Sequence, residues 1–360
     1  MALISKTRNA IPPCRVWGHC RVWGQFQLFI LVDIHRSKRQ GPRVARQLRI
    51  EYPGAVYHIM NRGDRRELIF RDDRDRHRFL ETLAEACAKT RWEIHAYCLM
   101  GNHFHLVVET PEGNLVAGMK WLLGTYTARF NRRHKTVGHL FSGRYKSLVV
   151  DGSQNGYLRT VCDYVHLNPV RANLTSPEQK LSRFPWSSYV YYLKSASQRP
   201  SWLRVDRLLG EMRIPKDSPA GRRQFESAME QRRAQETGQE WKGLRRGWYL
   251  GDAAFRQELL EQAHGRVGPN HERNQRQESA EQRAERIVRE ELRKRGWEDE
   301  ILGQRPKGDV GKVRIARRLR NETTMTLKWI AQRLAMGTAG HVANRLYRIK
   351  NQSLRGRRFK

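Results

Sequence analysis

Cysteine is scarce in this chain of 360 residues, which holds five, at Cys14, Cys20, Cys87, Cys98 and Cys162. The number is odd, the spacing is wide and no Cys-x-x-Cys pair occurs, which argues against a disulfide framework or a zinc ribbon and fits a reducing cytoplasm. Long apolar runs are lacking too. The strongest, Phe26 to Val32, is too short to cross a bilayer and stops at Asp33. Arg15, Arg21 and two tryptophans precede it and no small-residue cleavage site follows, so it does not fit a signal peptide. A soluble, non-exported protein is expected, without a membrane partner. Acidic residues are the third shortage: 36 Asp and Glu stand against 69 Lys and Arg, a formal net charge of +33. The excess runs through the whole chain, so a polyanion is the expected partner, nucleic acid before anionic membrane.

The first forty residues are unlike the rest. Cys14-Arg15-Val16-Trp17-Gly18 recurs at once as Cys20-Arg21-Val22-Trp23-Gly24, without capping residues or steady periodicity, and residues 1–42 read as an extension that does not fold. Order is expected from about Gln47 onward. Val56 to Asn61 reads as a strand entering a Gly63-Asp64 turn, and Arg74 to Lys89 as a helix with Phe79, Leu80, Leu83 and Cys87 at helical spacing. Trp92 to Met100, the turn Gly101-Asn102 and His103 to Thr110 read as a hairpin. Leu115 to His134 returns to a helix, Tyr145 to Val150 to a strand, and Gln154 to Asn168 to a helix ended by Pro169. The order β-α-β-β-α-β-α predicts an α+β fold, a ferredoxin-like antiparallel sheet with helices on one face.

Within that plan one constellation carries chemistry. In a strand, His103 and His105 point to the same face and can grip one metal ion while Phe104 points into the core. Tyr164 and Asn168 stand one helical turn apart, so both project from one helix face. If that face lies over the histidines, the amide oxygen of Asn168 supplies a third, hard ligand and the phenol of Tyr164 sits at the metal's edge. Two imidazole nitrogens and an amide oxygen with open positions suit Mg2+ or Mn2+ bridging a phosphate better than a closed zinc site. A phenol, with an ordinary pKa of about 10, is a poor nucleophile at neutral pH. A divalent ion polarising the scissile phosphate, together with positioning, makes up the deficit. The product is a phosphotyrosine and a free 3′-hydroxyl, so the bond can be rejoined without ATP.

The run Glu51-Tyr52-Pro53-Gly54-Ala55-Val56-Tyr57-His58-Ile59-Met60-Asn61-Arg62-Gly63, then Met100-Gly101-Asn102-His103-Phe104-His105, Gly143-Arg144-Tyr145-Lys146-Ser147 and Asp163-Tyr164-Val165-His166-Leu167-Asn168-Pro169-Val170-Arg171-Ala172, resembles the REP-associated tyrosine transposases. These are single-tyrosine members of the HUH endonuclease superfamily related to IS200-type transposases. The resemblance covers about Arg43 to Phe255, including Trp186-Ser187-Ser188-Tyr189 and Gly247-Trp248-Tyr249-Leu250-Gly251-Asp252. It implies metal binding by His103 and His105, nucleophilic attack by Tyr164, and a helix-borne metal ligand at Asn168. It also implies cleavage of single-stranded DNA beside the hairpins of repetitive extragenic palindromes. It leaves open whether the protein works as a monomer or a homodimer.

Outside the constellation, Arg129, Arg132 and Arg133 end the long helix and Arg144 and Lys146 flank a strand; among Tyr126, Phe130 and Phe141 they are expected to form a single-strand groove. Residues 43–199 are assigned to the catalytic domain, 200–262 to a helical extension packed on it, with helices at Val205 to Met212 and Arg223 to Thr237, and 263–280 to a linker. Residues 281–352 are assigned to an all-α module. There Leu327 to Ala335, a turn, and His341 to Lys350 form a helix-turn-helix pattern that resembles the C-terminal DNA-binding domain of the replication initiator DnaA. Ile330, Leu334, Val342 and Leu346 are its expected core; Thr338, His341, Asn344, Arg345 and Arg348 form its expected recognition face on duplex DNA. A cytoplasmic, nucleoid-associated enzyme is expected. The rivals are a DNA-binding repressor or repeat-binding factor with a spent site, and an RNA-directed or ribosome-associated basic protein.

Overall fold

Alternating side chains along four strands build a sheet with two unlike faces. β1 (Ala55–Arg62), β2 (Glu93–Leu99), β3 (His103–Thr110), β4 (Lys146–Val150) and β5 (Tyr249–Leu250) lie in the order β2-β3-β1-β4-β5. The first four are antiparallel and β5 runs parallel to β4, so the sheet departs at that edge from the expected all-antiparallel form. The structure is a computed structural model. It describes residues 49–153, 156–176, 178–236, 241, 244, 247–264 and 271–355, without the side chains of 263–280 and 350–355. The reading of residues 1–42 lies outside the described residues.

Helices α1 (Asp73–Thr90) and α2 (Leu115–His134) cover the first face. Asp72 starts α1 by accepting a hydrogen bond from the Asp75 amide, and Arg91, in the left-handed region at φ 58°, ends it. Tyr57, Ile59, Leu99, Phe104 and Leu106 from the strands pack with Phe79, Leu83, Met119 and Leu122. Gly118 lets α2 approach: a Cβ there would sit 2.1 Å from the Trp92 indole. The plan β-α-β-β-α-β-α is therefore the one observed, with α1 and α2 on one face as expected.

The opposite face is covered as well, by α3 (Tyr157–His166), which packs against β2, β3 and β4. Val56, Ala96, Val107, Leu148 and Val150 meet Leu158, Val161 and Val165 there. α3 ends at His166 rather than at Asn168, and a short helix α4 (Asn168–Arg171) restarts with Pro169 in its first turn, where a missing N–H costs nothing.

Later segments close both sheet edges. Along β2, the Leu99 amide donates to Trp186 O at 2.8 Å, the Ser188 amide to Tyr97 O at 2.9 Å, and the Ile94 amide to Trp202 O at 3.1 Å. Along β4, the Val149 amide donates to Trp248 O at 3.0 Å and the Asp151 amide to Leu250 O at 2.8 Å. The Trp186-Ser187-Ser188-Tyr189 and Gly247 to Asp252 motifs thus satisfy edge backbone groups that would otherwise invite strand addition. A short helix α5 (Tyr189–Tyr192), then α6 (Asp206–Glu211) and α7 (Pro219–Ala234) extend the second-face core through Leu208, Leu209, Phe225 and Met229, and α8 (Ala253–His264) joins the first-face core through Phe255 and Leu259.

Helix α9 (His271–Arg293) begins inside the segment assigned to the linker, whose residues 265–270 lie outside the described residues. With α10 (Ile301–Gln304), α11 (Val310–Glu322), α12 (Leu327–Arg333) and α13 (Ala339–Arg355) it encloses a separate core. Ile330, Leu334, Met336 and Val342 are fully buried in that core and Leu346 packs against it. This module docks on α1: Lys89 Nζ donates to the carbonyls of Arg320 and Asn321, and Arg283 pairs with Glu112 at 2.9 Å.

Candidate active site

The end of the second face nearest the β2–β3 turn is polar. Strand register puts Arg62 opposite His103, and Met60 opposite both His105 and Lys146. His58, two residues before Met60, points the same way. The rings of His103 and His105 meet edge to face with centroids 5.1 Å apart. Tyr164 on α3 packs against His105 and His58: its ring lies 5.7 Å from His105 and 5.4 Å from His58, both edge-on. Asn168, buried, begins α4 one turn further on, with its Nδ2 3.5 Å from the Val165 carbonyl.

Each imidazole has one nitrogen already committed. His103 Nδ1 lies 2.7 Å from Asn102 Oδ1, and His105 Nδ1 lies 3.0 Å from His58 Nε2, with the His58 and His105 rings stacked at 5.2 Å. An amide oxygen can only accept, so His103 carries its proton on Nδ1 and keeps the Nε2 lone pair. In the tautomer where His105 Nδ1 donates to His58 Nε2, His105 likewise keeps its Nε2 lone pair. A ligand imidazole whose second nitrogen is held in this way is the usual support of a metal site. Burial lowers the pKa of His103 to about 4, with Arg62 adding to the effect, and holds His105 well below the ordinary value, helped by His58, His103, Arg171 and Arg62. Burial and then Arg171 lower His58 to about 4. All three are neutral at physiological pH, the form that ligates.

His103 and His105, neutral imidazoles, are of the donor type that a divalent cation takes, and the amide oxygen of Asn168 is a hard donor by its chemistry. His58 does not extend this set, because its Nε2 is spent on His105. Among the described residues no group of three or more His, Cys, Asp or Glu could hold a metal ion.

Three further residues shape the site and were missed at the level of sequence. Arg171 lays its guanidinium 4.1 Å from the Tyr164 ring centroid and donates to the Tyr164 carbonyl. Glu236 lies 3.6 Å from Arg171 and accepts from the Trp241 indole, whose ring centroid is 5.5 Å from that of Tyr164. His58 was the third omission, since a single histidine inside a strand carries no signal without its cross-strand neighbours. His166, by contrast, sits away from the site, its Nε2 2.8 Å from Ser188 Oγ.

Residues 52–168 match the family model described as Transposase IS200 like. This part of the chain is similar to that family. The matched span ends on Asn168 and takes in every histidine above together with Tyr164. A solved structure described as a REP-associated tyrosine transposase bound to a REP hairpin is 14% identical; the match covers 44% of this chain and 91% of that one, with a TM-score of 0.36. A search of curated proteins found no match.

The cations expected to line a single-strand groove divide into two sets. Arg129 pairs with Glu85 at 2.7 Å and donates to Thr82, and Arg133 is held by Asp72 and Asp75, so both tie α2 to the start and flank of α1. Arg132 and Arg144 are exposed, and Lys146 is exposed on β4 beside the histidine face. In the C-terminal module Asn344 and Arg348 are exposed and His341 is half-buried. Arg345 packs over Gly308, where a Cβ would lie 2.4 Å from its guanidinium, and its Nε lies 3.5 Å from His341 Nε2. Thr338 Oγ1 accepts from the His341 amide at 3.2 Å and so serves as the N-cap of α13.

Proposed function

We propose that the domain is a metal-dependent single-stranded DNA endonuclease and strand transferase in which Tyr164 forms a 5′-phosphotyrosine link. The observation that carries this reading is the contact of the Tyr164 ring with His105, whose Nδ1 meets His58, beside His103, whose Nδ1 meets Asn102, so that the Nε2 atoms of His103 and His105 are left for one cation. Tyr164 Oη attacks phosphorus, the bond from phosphorus to the 3′ oxygen breaks, the phenolic proton is given up and the departing 3′ oxygen takes one. His103, His105 and Asn168 would hold Mg2+ or Mn2+, which polarises the phosphate when bound. Arg171 keeps the phenol ring in place and adds positive charge next to the developing anion.

REP-type hairpins are the substrate class implied by the motif resemblance, and the C-terminal module, through Asn344 and Arg348, would tether the enzyme to duplex DNA. The test is incubation of the protein with a labelled DNA hairpin and Mn2+, followed by a denaturing gel that retains covalent adducts. A labelled adduct that disappears in Tyr164→Phe is expected. Tight binding without adduct in the wild type would reject the enzyme in favour of a repeat-binding factor, and preference for an RNA hairpin would reject DNA as the substrate.

A further inference from the structure

The turn that follows β1 combines three features that the site above does not use. First, Arg62 stands opposite His103 across the β1–β3 pair, and its Nε is buried with no hydrogen-bond partner among the described residues. A buried guanidinium nitrogen without an acceptor is costly unless a ligand satisfies it. Second, Arg65 and Arg66 both adopt left-handed backbone, at φ 49° and φ 64°. A non-glycine residue there is strained by about 1–2 kcal/mol. Both arginines are exposed and make no ion pair among the described residues, unlike Arg129 and Arg133. Third, the turn is fixed from three sides. The Gly63 amide donates to Asn102 O at 2.8 Å, the Asp64 amide to Leu140 O at 3.0 Å, and Asn102 Nδ2 to Arg66 O at 3.1 Å. A Cβ on Gly63 would lie 2.1 Å from Glu67 O, so only glycine closes it.

Strain held in place by so many hydrogen bonds fixes the backbone of Arg65 and Arg66 close after Arg62 and against Asn102, the residue before His103. Asn102 is shared: one end of its amide holds the Arg66 carbonyl and the other the His103 ring. We infer that Arg62, Arg65 and Arg66 form a clamp for the phosphodiester backbone of the strand entering the site, Arg62 on the phosphate nearest the metal ligands and Arg65 and Arg66 on its neighbours. Forked guanidinium donors suit phosphate oxygens, and three cations set the strand's path without reading a base. The inference rests on the proposed function, since it supplies that site's substrate contacts.

The experiment measures binding of a labelled single-stranded oligodeoxynucleotide in EDTA across a salt series, so that no cleavage contributes. The doubly substituted chain Arg65→Gly, Arg66→Gly keeps the turn, because glycine adopts left-handed backbone without strain, while it removes both guanidinium groups. Its affinity should fall on the order of tenfold, and its log–log salt slope should be shallower by about 1.4, at about 0.7 per lost phosphate contact. Its melting temperature should stay level or rise, which a purely structural role for the arginines does not give. Arg62→Gln should flatten the slope by about half as much, and Arg78→Ala, on the exposed side of α1, should leave it unchanged. An unchanged slope in the double variant, with the wild type binding, overturns the clamp while the Tyr164 chemistry stands. Failure of the wild type to bind the oligonucleotide overturns both.

Discussion

The two faces of one sheet are built from adjacent residues and obey opposite rules. On the first face Tyr57, Ile59, Phe104 and Leu106 are buried among the apolar side chains of α1 and α2. On the second, His58, His103 and His105 alternate with them along the same strands, Tyr164 packs on His58 and His105, and Arg62 and Lys146 share the face. The first face is where burial stabilises the fold. The second buries neutral imidazoles and holds cations close together, which is costly for stability and is what the proposed metal and phosphate binding would require.

Neighbouring substitutions on β3 break this comparison most strongly. Phe104 is fully buried, with its ring 5.0 Å from Phe79, so Phe104→Ala should destabilise by about 3–5 kcal/mol, through lost burial and the cavity left behind. His103→Ala and His105→Ala should cost far less stability and abolish Mn2+-dependent adduct formation. Urea denaturation beside the adduct gel reads both quantities. If Phe104→Ala were tolerated and the histidine variants unfolded, the division of labour between faces would be wrong.

A carboxylate on the second face sharpens the point by about a few kcal/mol. Asp163 is buried next to Tyr164, its Oδ1 has no hydrogen-bond partner among the described residues, and Arg159 stands 3.8 Å from its Oδ2. Burial pushes its pKa up to about 7 against the pull of Arg159 and Arg232. The folded state therefore holds this proton more tightly than the unfolded chain does. Stability present below the ordinary value of 3.8 is lost as pH rises toward 7. Asp163→Asn should raise the melting temperature above about pH 7 by several degrees and give no gain near pH 4. Equal gains at both pH values would mean that the charge is not what costs stability.

Much of the first face was legible in the sequence, and much less of the second. Alternation along His103 to Thr110 and helical spacing in Leu115 to His134 are local patterns, and both elements have the expected bounds. What escaped depends on contacts between distant residues. Arg129 and Arg133 look like solvated groove cations until α1 brings Glu85, Asp72 and Asp75 against them. Asn102 reads as a turn residue, yet its side chain orients a metal-ligand candidate. β5 is two residues long and parallel, too short for periodicity to reveal. The pairing of Tyr164 with the histidines was legible because strand and helix periods independently pointed both sets of side chains to one face.

His58 gives a smaller test of the same comparison. In the proposed site it would be a positioning residue, acting on a bound cation through a proton that His105 Nδ1 shares with His58 Nε2 at 3.0 Å. His58→Phe keeps the stacked ring and removes the acceptor, so Mn2+ affinity should drop about 10–100-fold, with stability unchanged or improved. Calorimetric titration with Mn2+ against urea denaturation separates the two; wild-type affinity in the variant would remove His58 from the site.

The smallest expected effect belongs to Arg171. Its guanidinium lies 4.1 Å from the Tyr164 ring centroid, and in the proposed reaction phenolate character would develop in that ring as its proton leaves. Lysine keeps the charge but loses the planar contact and the directed hydrogen bond to the Tyr164 carbonyl. Arg171→Lys should slow adduct formation about tenfold, equivalent to about 1.4 kcal/mol, while single-strand affinity stays level. A fall in affinity with the adduct rate unchanged would reassign Arg171 from holding the tyrosine to holding the strand. The second face would then contain one more phosphate contact and one fewer device for aiming its nucleophile.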